Sequence, residues 1–170
     1  MNMERTSGIS MMRYDGSDTH KTYATFRVSG DTLDPDIITK ILRVIPTISY
    51  AKGEKYFAGQ RTGELIGKTG MWSFTTDKLV ASNNLQHHLA YVLGILIPGR
   101  QDASPLVHLH ALLAKNKGIR ADLRCFWHGH ASAKKPSIPK IVTEFVKIIP
   151  ASIEADFDTD SVSDNGRKTA

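Results

Sequence analysis

One cysteine stands among 170 residues, and that removes any internal disulfide framework. Cys125 cannot staple a fold by itself, so apolar burial has to hold the chain together. A lone thiol also fits a reducing compartment, which makes the cytoplasm the expected location. Long apolar runs are missing too. No stretch approaches the roughly 18 residues of a membrane span, so no membrane association is expected. The opening M-N-M-E-R-T-S-G has no basic stretch leading into an apolar one, and a secretory signal is not expected there. Neither a helix-turn-helix nor an RNA-recognition signature is visible, and no serine sits on a nucleophile elbow.

With 41% apolar and 23% charged residues, the chain has the proportions of an ordinary globular protein. Its length suits one domain with a proper core. Polar, non-periodic ends read as disordered tails over 1–21 and 159–170, leaving a single domain over 22–158. The formal charge of +5 would admit an anionic partner. Its distribution weakens that idea, because basic residues gather in three places while the C-terminal stretch carries Asp156, Asp158, Asp160 and Asp164. Nucleic-acid binders pair a basic stripe with stacking aromatics or a known module. A solvated basic face is the plainer reading, and nucleic acid is not the expected partner.

Periodicity supplies the architecture. Tyr23 to Val28 alternates, with Ala24, Phe26 and Val28 on one side, as a half-buried strand does. Asp34 then caps a helix with Pro35 at its first position, and Leu33 and Ile38 are spaced to clasp that cap. Ile37, Ile38, Ile41, Leu42 and Ile45 would form its buried stripe, and Pro46 would stop it. A short strand near Ile48–Ala51 leads into a glycine-rich loop, and a strand with Trp72 and Phe74 returns. Two leucine-striped helices follow, running to Leu96 and from Ser104 to Gly118. Ile119 to Trp127 alternates cleanly, with Arg120, Asp122 and Arg124 on the wet side. A last helix near 138–149 precedes a strand in which Ile153, Ala155 and Phe157 alternate with Glu154, Asp156 and Asp158. This order predicts an α+β fold, with a mixed, mainly antiparallel sheet and helices packed on one face, ferredoxin-like in part.

The turns and caps within this order carry a resemblance. Gly30, Asp31, Leu33, Asp34 and Pro35 form G-D-x-L-D-P, Pro46-Thr47 follows the first helix, and Lys52-Gly53-Glu54 and Gly70-x-Trp72-Ser73 come later. With L-R-C-F-W at 123–127 and the closing acidic strand, the chain resembles the bacterial domain of unknown function 4279 over about 22–158. The resemblance implies the fold and carries no reaction, cofactor or catalytic residue with it.

Candidate chemistry is thin. Gly63-Glu-Leu-Ile-Gly67-Lys68-Thr69 has three residues between its glycines where a phosphate loop needs four, and a strand follows where that loop needs a helix. The basic residues of this loop, Lys52, Lys55, Arg61 and Lys68, are candidates for meeting an acidic partner; the plainer reading is a solvated hairpin. His87-His88 and His108-x-His110 sit too far round their helices to chelate one ion, and His88 and His110 read as packed and hydrogen-bonded. His128-Gly129-His130, just past a strand, marks a second candidate binding surface. Two imidazoles and an inward thiol fall short of a zinc site, so no metal or cofactor is expected. Cys125 lies in an apolar alternation, where a thiol is inert.

The leading expectation is a non-catalytic cytoplasmic binding domain with a protein partner, of immunity or accessory type. It would use basic loop surface beside Tyr50, Tyr56 and Phe57. The alternatives are a small-ligand protein or enzyme, with a site where the glycine-rich loop meets Trp72 and Trp127, and a weak nucleic-acid binder. No catalytic residue is assigned.

Overall fold

The computed structural model describes residues 19–58, 63–97 and 104–161. The tails expected at the two ends therefore fall mostly outside the described residues, as does Arg61. The first strand, β1 (Thr19–Gly30), starts earlier and ends later than the alternation suggests. It is sandwiched between two neighbours, so backbone pairing extends it past its apolar stretch. Next come α1 (Pro35–Leu42), β2 (Ile48–Tyr50), β3 (Lys55–Tyr56), β4 (Leu65–Ile66) and β5 (Gly70–Thr75). Then follow α2 (Leu85–Leu96), α3 (Ser104–Lys115), β6 (Ile119–Gly129), α4 (Lys140–Ile148) and β7 (Ser152–Thr159).

Among the described residues, the main sheet runs β2-β5-β1-β6-β7, and β3 pairs with β4 in a separate ribbon. All neighbours in the main sheet are antiparallel except β6 and β7, which are parallel. Strands β1, β2, β5 and β6, crossed over by α1 and by α2–α3, make the split β-α-β-β-α-β unit of ferredoxin-like folds. Helix α4 then adds β7 as a parallel edge strand. The fold is α+β with a mixed, mainly antiparallel sheet, as the sequence pattern predicts.

The cap at α1 forms as expected. Asp34 Oδ1 accepts from the Asp36 N–H at 3.0 Å, Pro35 fills the first turn, and Leu33 and Ile38 are both buried. The helix stops sooner than its proline requires. Arg43 adopts a left-handed conformation (φ 55°) and its N–H donates to the Thr39 carbonyl. The apolar stripe consequently narrows to Ile38 and Leu42, with Ile41 half-buried; Ile45 is 86% exposed and Ile37 is also exposed.

The core lies between the helices and one face of the sheet: Ala24, Phe26, Val28, Trp72, Leu123 and Cys125 meet Leu89, Val92, Leu109 and Phe145. Trp72 is fully buried and donates its indole N–H to Thr39 Oγ1 at 3.0 Å, which removes the cost of hiding that group. His88 is buried as well. Its Nε2 lies 2.7 Å from the Ser82 carbonyl, which can only accept, so Nε2 carries a proton; Nδ1 meets Thr76 Oγ1 at 2.7 Å. His110 is hydrogen-bonded, as expected, but not packed. It is exposed, and its Nδ1 reaches the Ile148 carbonyl near the end of α4. Among the described residues no helix is long and apolar enough to cross a membrane.

Candidate functional site

Helices cover one face of the sheet, and the side chains of alternate residues project from the other. Strand pairing sets which of them meet. Tyr23 on β1 lies opposite Phe126 on β6, and their rings stack with centroids 4.8 Å apart and planes 13° from parallel. Lys21 Nζ stands 5.1 Å from the Tyr23 ring centre and 3.5 Å from Asp77. Two residues along β1, Thr25 donates its hydroxyl to Thr75 Oγ1 on neighbouring β5 at 2.9 Å.

Below these lies a charged network. Arg27 pairs across the strands with Asp122, giving Nε and Nη2 to Oδ2 at 2.9 and 2.8 Å. Arg124 gives Nε to the other oxygen, Oδ1, at 3.0 Å, and Nη2 to Glu154 on β7 at 2.8 Å. Asp122 is only 5% exposed. A carboxylate so far from water is tolerable only because three N–H donors replace its hydration. The sequence places Asp122 correctly on the wet side but hides its burial, which follows from the two guanidiniums closing over it.

Two adjoining depressions open on this face. One of about 390 Å3 is floored by Tyr23, Phe126 and Ser73 and rimmed by Arg124 and Asp156. A broader one of about 770 Å3 runs towards Gly30 and Gly118. Arg27 and Glu154 line both. Trp72 and Trp127 line neither, because both are buried on the helix side. The expected site beside the two tryptophans therefore coincides with neither depression.

The glycine-rich loop is a ribbon. Gly53 N–H donates to the Gly67 carbonyl and Gly67 N–H to the Glu54 carbonyl, each at 2.8 Å, and β3 and β4 continue the pairing. The ribbon is seated by Tyr56, whose ring stacks on Tyr50 at 3.9 Å. A side chain at Gly67 would collide with Tyr50, since its Cβ would sit 2.6 Å from a ring carbon. Tyr50 is buried, where exposure was expected. Burial, then hydrogen bonding with Tyr56, pushes its phenol up to about 12. Only Phe57 of the three expected aromatics is largely exposed.

The expected loop cations do not converge. Lys52 pairs with Asp31, whose carboxyl is held below its ordinary range by hydrogen bonds from Lys52 and then Thr69. Lys55 pairs with Glu64 at 2.7 Å, and Lys68 is exposed with no charge partner among the described residues. Arg61 lies outside the described residues. At the opposite side of the sheet, His128 belongs to β6 rather than to a loop, because β6 runs on to Gly129 between β1 and β7. His128 Nε2 and His130 Nδ1 both approach the Asp160 carboxylate, at 3.3 and 3.4 Å. Among the described residues, no three His, Cys, Asp or Glu side chains are grouped to hold a metal ion. Cys125 is buried, and that burial pushes its thiol up to about 11.

Residues 20–160 match the family described as Domain of unknown function (DUF4279). No curated protein matches the chain, and neither does any solved structure.

Proposed function

The chain belongs to the DUF4279 family, and we propose that it is a non-catalytic binding domain that receives another protein on the helix-free face of its sheet. One observation carries the reading: that face is built from a stacked aromatic pair and a charged network, yet uncovered among the described residues. Stacked Tyr23 and Phe126 offer apolar area at little entropic cost, as aromatic anchors of protein interfaces do. Beside them, the Arg27–Asp122–Arg124–Glu154 network holds its charges in fixed positions. The strongest ionic groups there neutralise one another, so none is poised as a base or nucleophile. Glu154, Asp156 and Asp158 along one side would repel a phosphate backbone, which favours a polypeptide over nucleic acid. The cytoplasm remains the compartment we assign, in keeping with one buried, unbridged thiol.

A photo-cross-linking amino acid installed at Phe126, and separately at exposed Ile141 on α4, tests this in cells that make the protein. A discrete protein adduct from position 126 and none from 141 is the expected result. Adducts from 141 alone would move the contact to the helical side. The depression of about 390 Å3 has a volume typical of small-ligand sites and favours a second reading, a small polar ligand held against Tyr23 and Phe126. Thermal stabilisation by a metabolite panel, lost on Tyr23→Ala, would support it over a protein partner.

A further inference from the structure

β7 closes one side of the sheet, and among the described residues no strand lies beyond it. Within a strand, the N–H and C=O of one residue point to the same side and those of the next to the other. Asp160 N–H donates to the Gly129 carbonyl at 2.9 Å, so the even-numbered residues here pair inward with β6. Ile153, Ala155, Phe157 and Thr159 therefore turn their main chain outward. Two of those outward groups are satisfied: Lys135 Nζ donates to the Phe157 carbonyl at 2.7 Å, and Asp158 Oδ1 accepts from Thr159 N–H at 2.8 Å. Both polar groups of Ile153 and of Ala155, and the Phe157 N–H, have no partner among the described residues. Ala155 is exposed. Such an edge is a template for one more strand.

Its side chains say which strand. On the helix-free face Glu154, Asp156 and Asp158 stand in a row, and Asp156 has no cation among the described residues. On the helix side stand Ile153, Ala155 and Phe157, none of them fully buried. A strand laid alongside would set its side chains about 5 Å from these. We infer that the outer edge of β7 docks an extended segment of another polypeptide that is alternately basic and apolar. Its Lys or Arg side chains meet the acidic row, and its apolar ones rest beside Ile153 and Phe157. A second copy does not fit, because its own β7 would bring acid against acid. The inference rests on the binding reading above, but concerns a different surface and fixes the partner's conformation and charge.

The test uses the full chain and a soluble fluorescent peptide alternating lysine with valine. Saturable binding, slowed amide exchange at Ile153, Ala155 and Phe157, and weakening by salt are expected. Ala155→Pro removes an outward N–H and leaves the pairing with β6 alone. It is expected to keep the far-ultraviolet circular dichroism and to bind the peptide about tenfold or more weakly. Should that variant misfold, exposed Asp156→Lys takes its place, with preference expected to turn towards a glutamate–valine peptide. Unprotected amides, or equal affinity of the native chain for both peptides, would overturn the inference. Protection here without a Phe126 cross-link upholds the edge and removes the sheet-face reading. The cross-link without protection does the reverse.

Discussion

Replacing Asp122 by Asn changes one oxygen to an amide nitrogen and removes one charge, with the side-chain volume unchanged. The remaining carbonyl can still accept from Arg27. The new NH2 group then faces Arg124 Nε, a donor against a donor, where a 3.0 Å hydrogen bond stood. Hydrogen bonds to charged groups contribute roughly 1.5–3 kcal/mol, and unpairing a buried ion pair costs roughly 3–5 kcal/mol. Neither guanidinium is fully buried here. The Arg27 and Arg124 side chains are 23% and 44% exposed, so water takes up part of the loss. The expected destabilisation is therefore about 2 kcal/mol, a fall in Tm of about 4–8 °C for a chain of this size. Urea unfolding followed by the fluorescence of buried Trp72 and Trp127 measures it, with the denaturant slope unchanged. Arg27→Gln should cost less, about 1 kcal/mol, because Asp122 keeps Arg124. Glu154→Gln should cost almost nothing, because that pair is half in water. A loss below about 0.5 kcal/mol for Asp122→Asn would refute the reasoning, since it would mean that water already solvates this carboxylate.

Asp34→Ala should lower stability by about 1 kcal/mol, read as a shift in the urea midpoint, because the Asp36 N–H loses its acceptor. Burial raises the Cys125 thiol from 9.0 to about 11, so the folded state holds its proton more tightly than the unfolded chain. Its stabilisation is full below pH 9 and lost as pH rises towards 11; urea midpoints of Cys125→Ala should be lower but flatter across that window, and parallel curves would count against the burial argument. Gly67→Ala should displace the Tyr50 ring at a cost of about 1–3 kcal/mol. Its phenolate absorbance should then appear nearer pH 10 than 12, and an unmoved titration would show that the ribbon absorbs the methyl group.

Local signals were legible where the chain obeys one period or one cap. The alternation from Ala24 to Val28 and from Ile119 to Trp127 shows which side chains meet the helices, and D-P-x-x-I places the start of α1. Helix ends were harder. Arg43 ends α1 through a left-handed turn that glycine usually signals, and Ile45 is left in water although its spacing suits a stripe. The candidate face was readable only by halves. Arg27 and Asp122 both belong to wet sides in the sequence, but nothing local says that residues 95 apart stand opposite each other. Strand register is a property of the pair, set by backbone bonding and the shared core face, and no single segment contains it. Tyr50 failed for the same reason: its burial depends on Tyr56 and Gly67, brought back by a ribbon whose strands are only two residues long.

Of the strands described in the main sheet, β1 is made earliest and ends up in the middle. β1 meets β5 only after some forty residues of intervening chain and β6 only after about ninety, so its long apolar face waits unpaired while the rest is made. Closing so wide a loop is slow, because chain entropy is spent before the pairing repays it. Substitutions in β1 and β6 should thus act mainly on the folding rate, whereas those in late-arriving β7 should mainly hasten unfolding. The nascent chain is most prone to aggregate before β6 has been made, when β1 carries an open edge on that side.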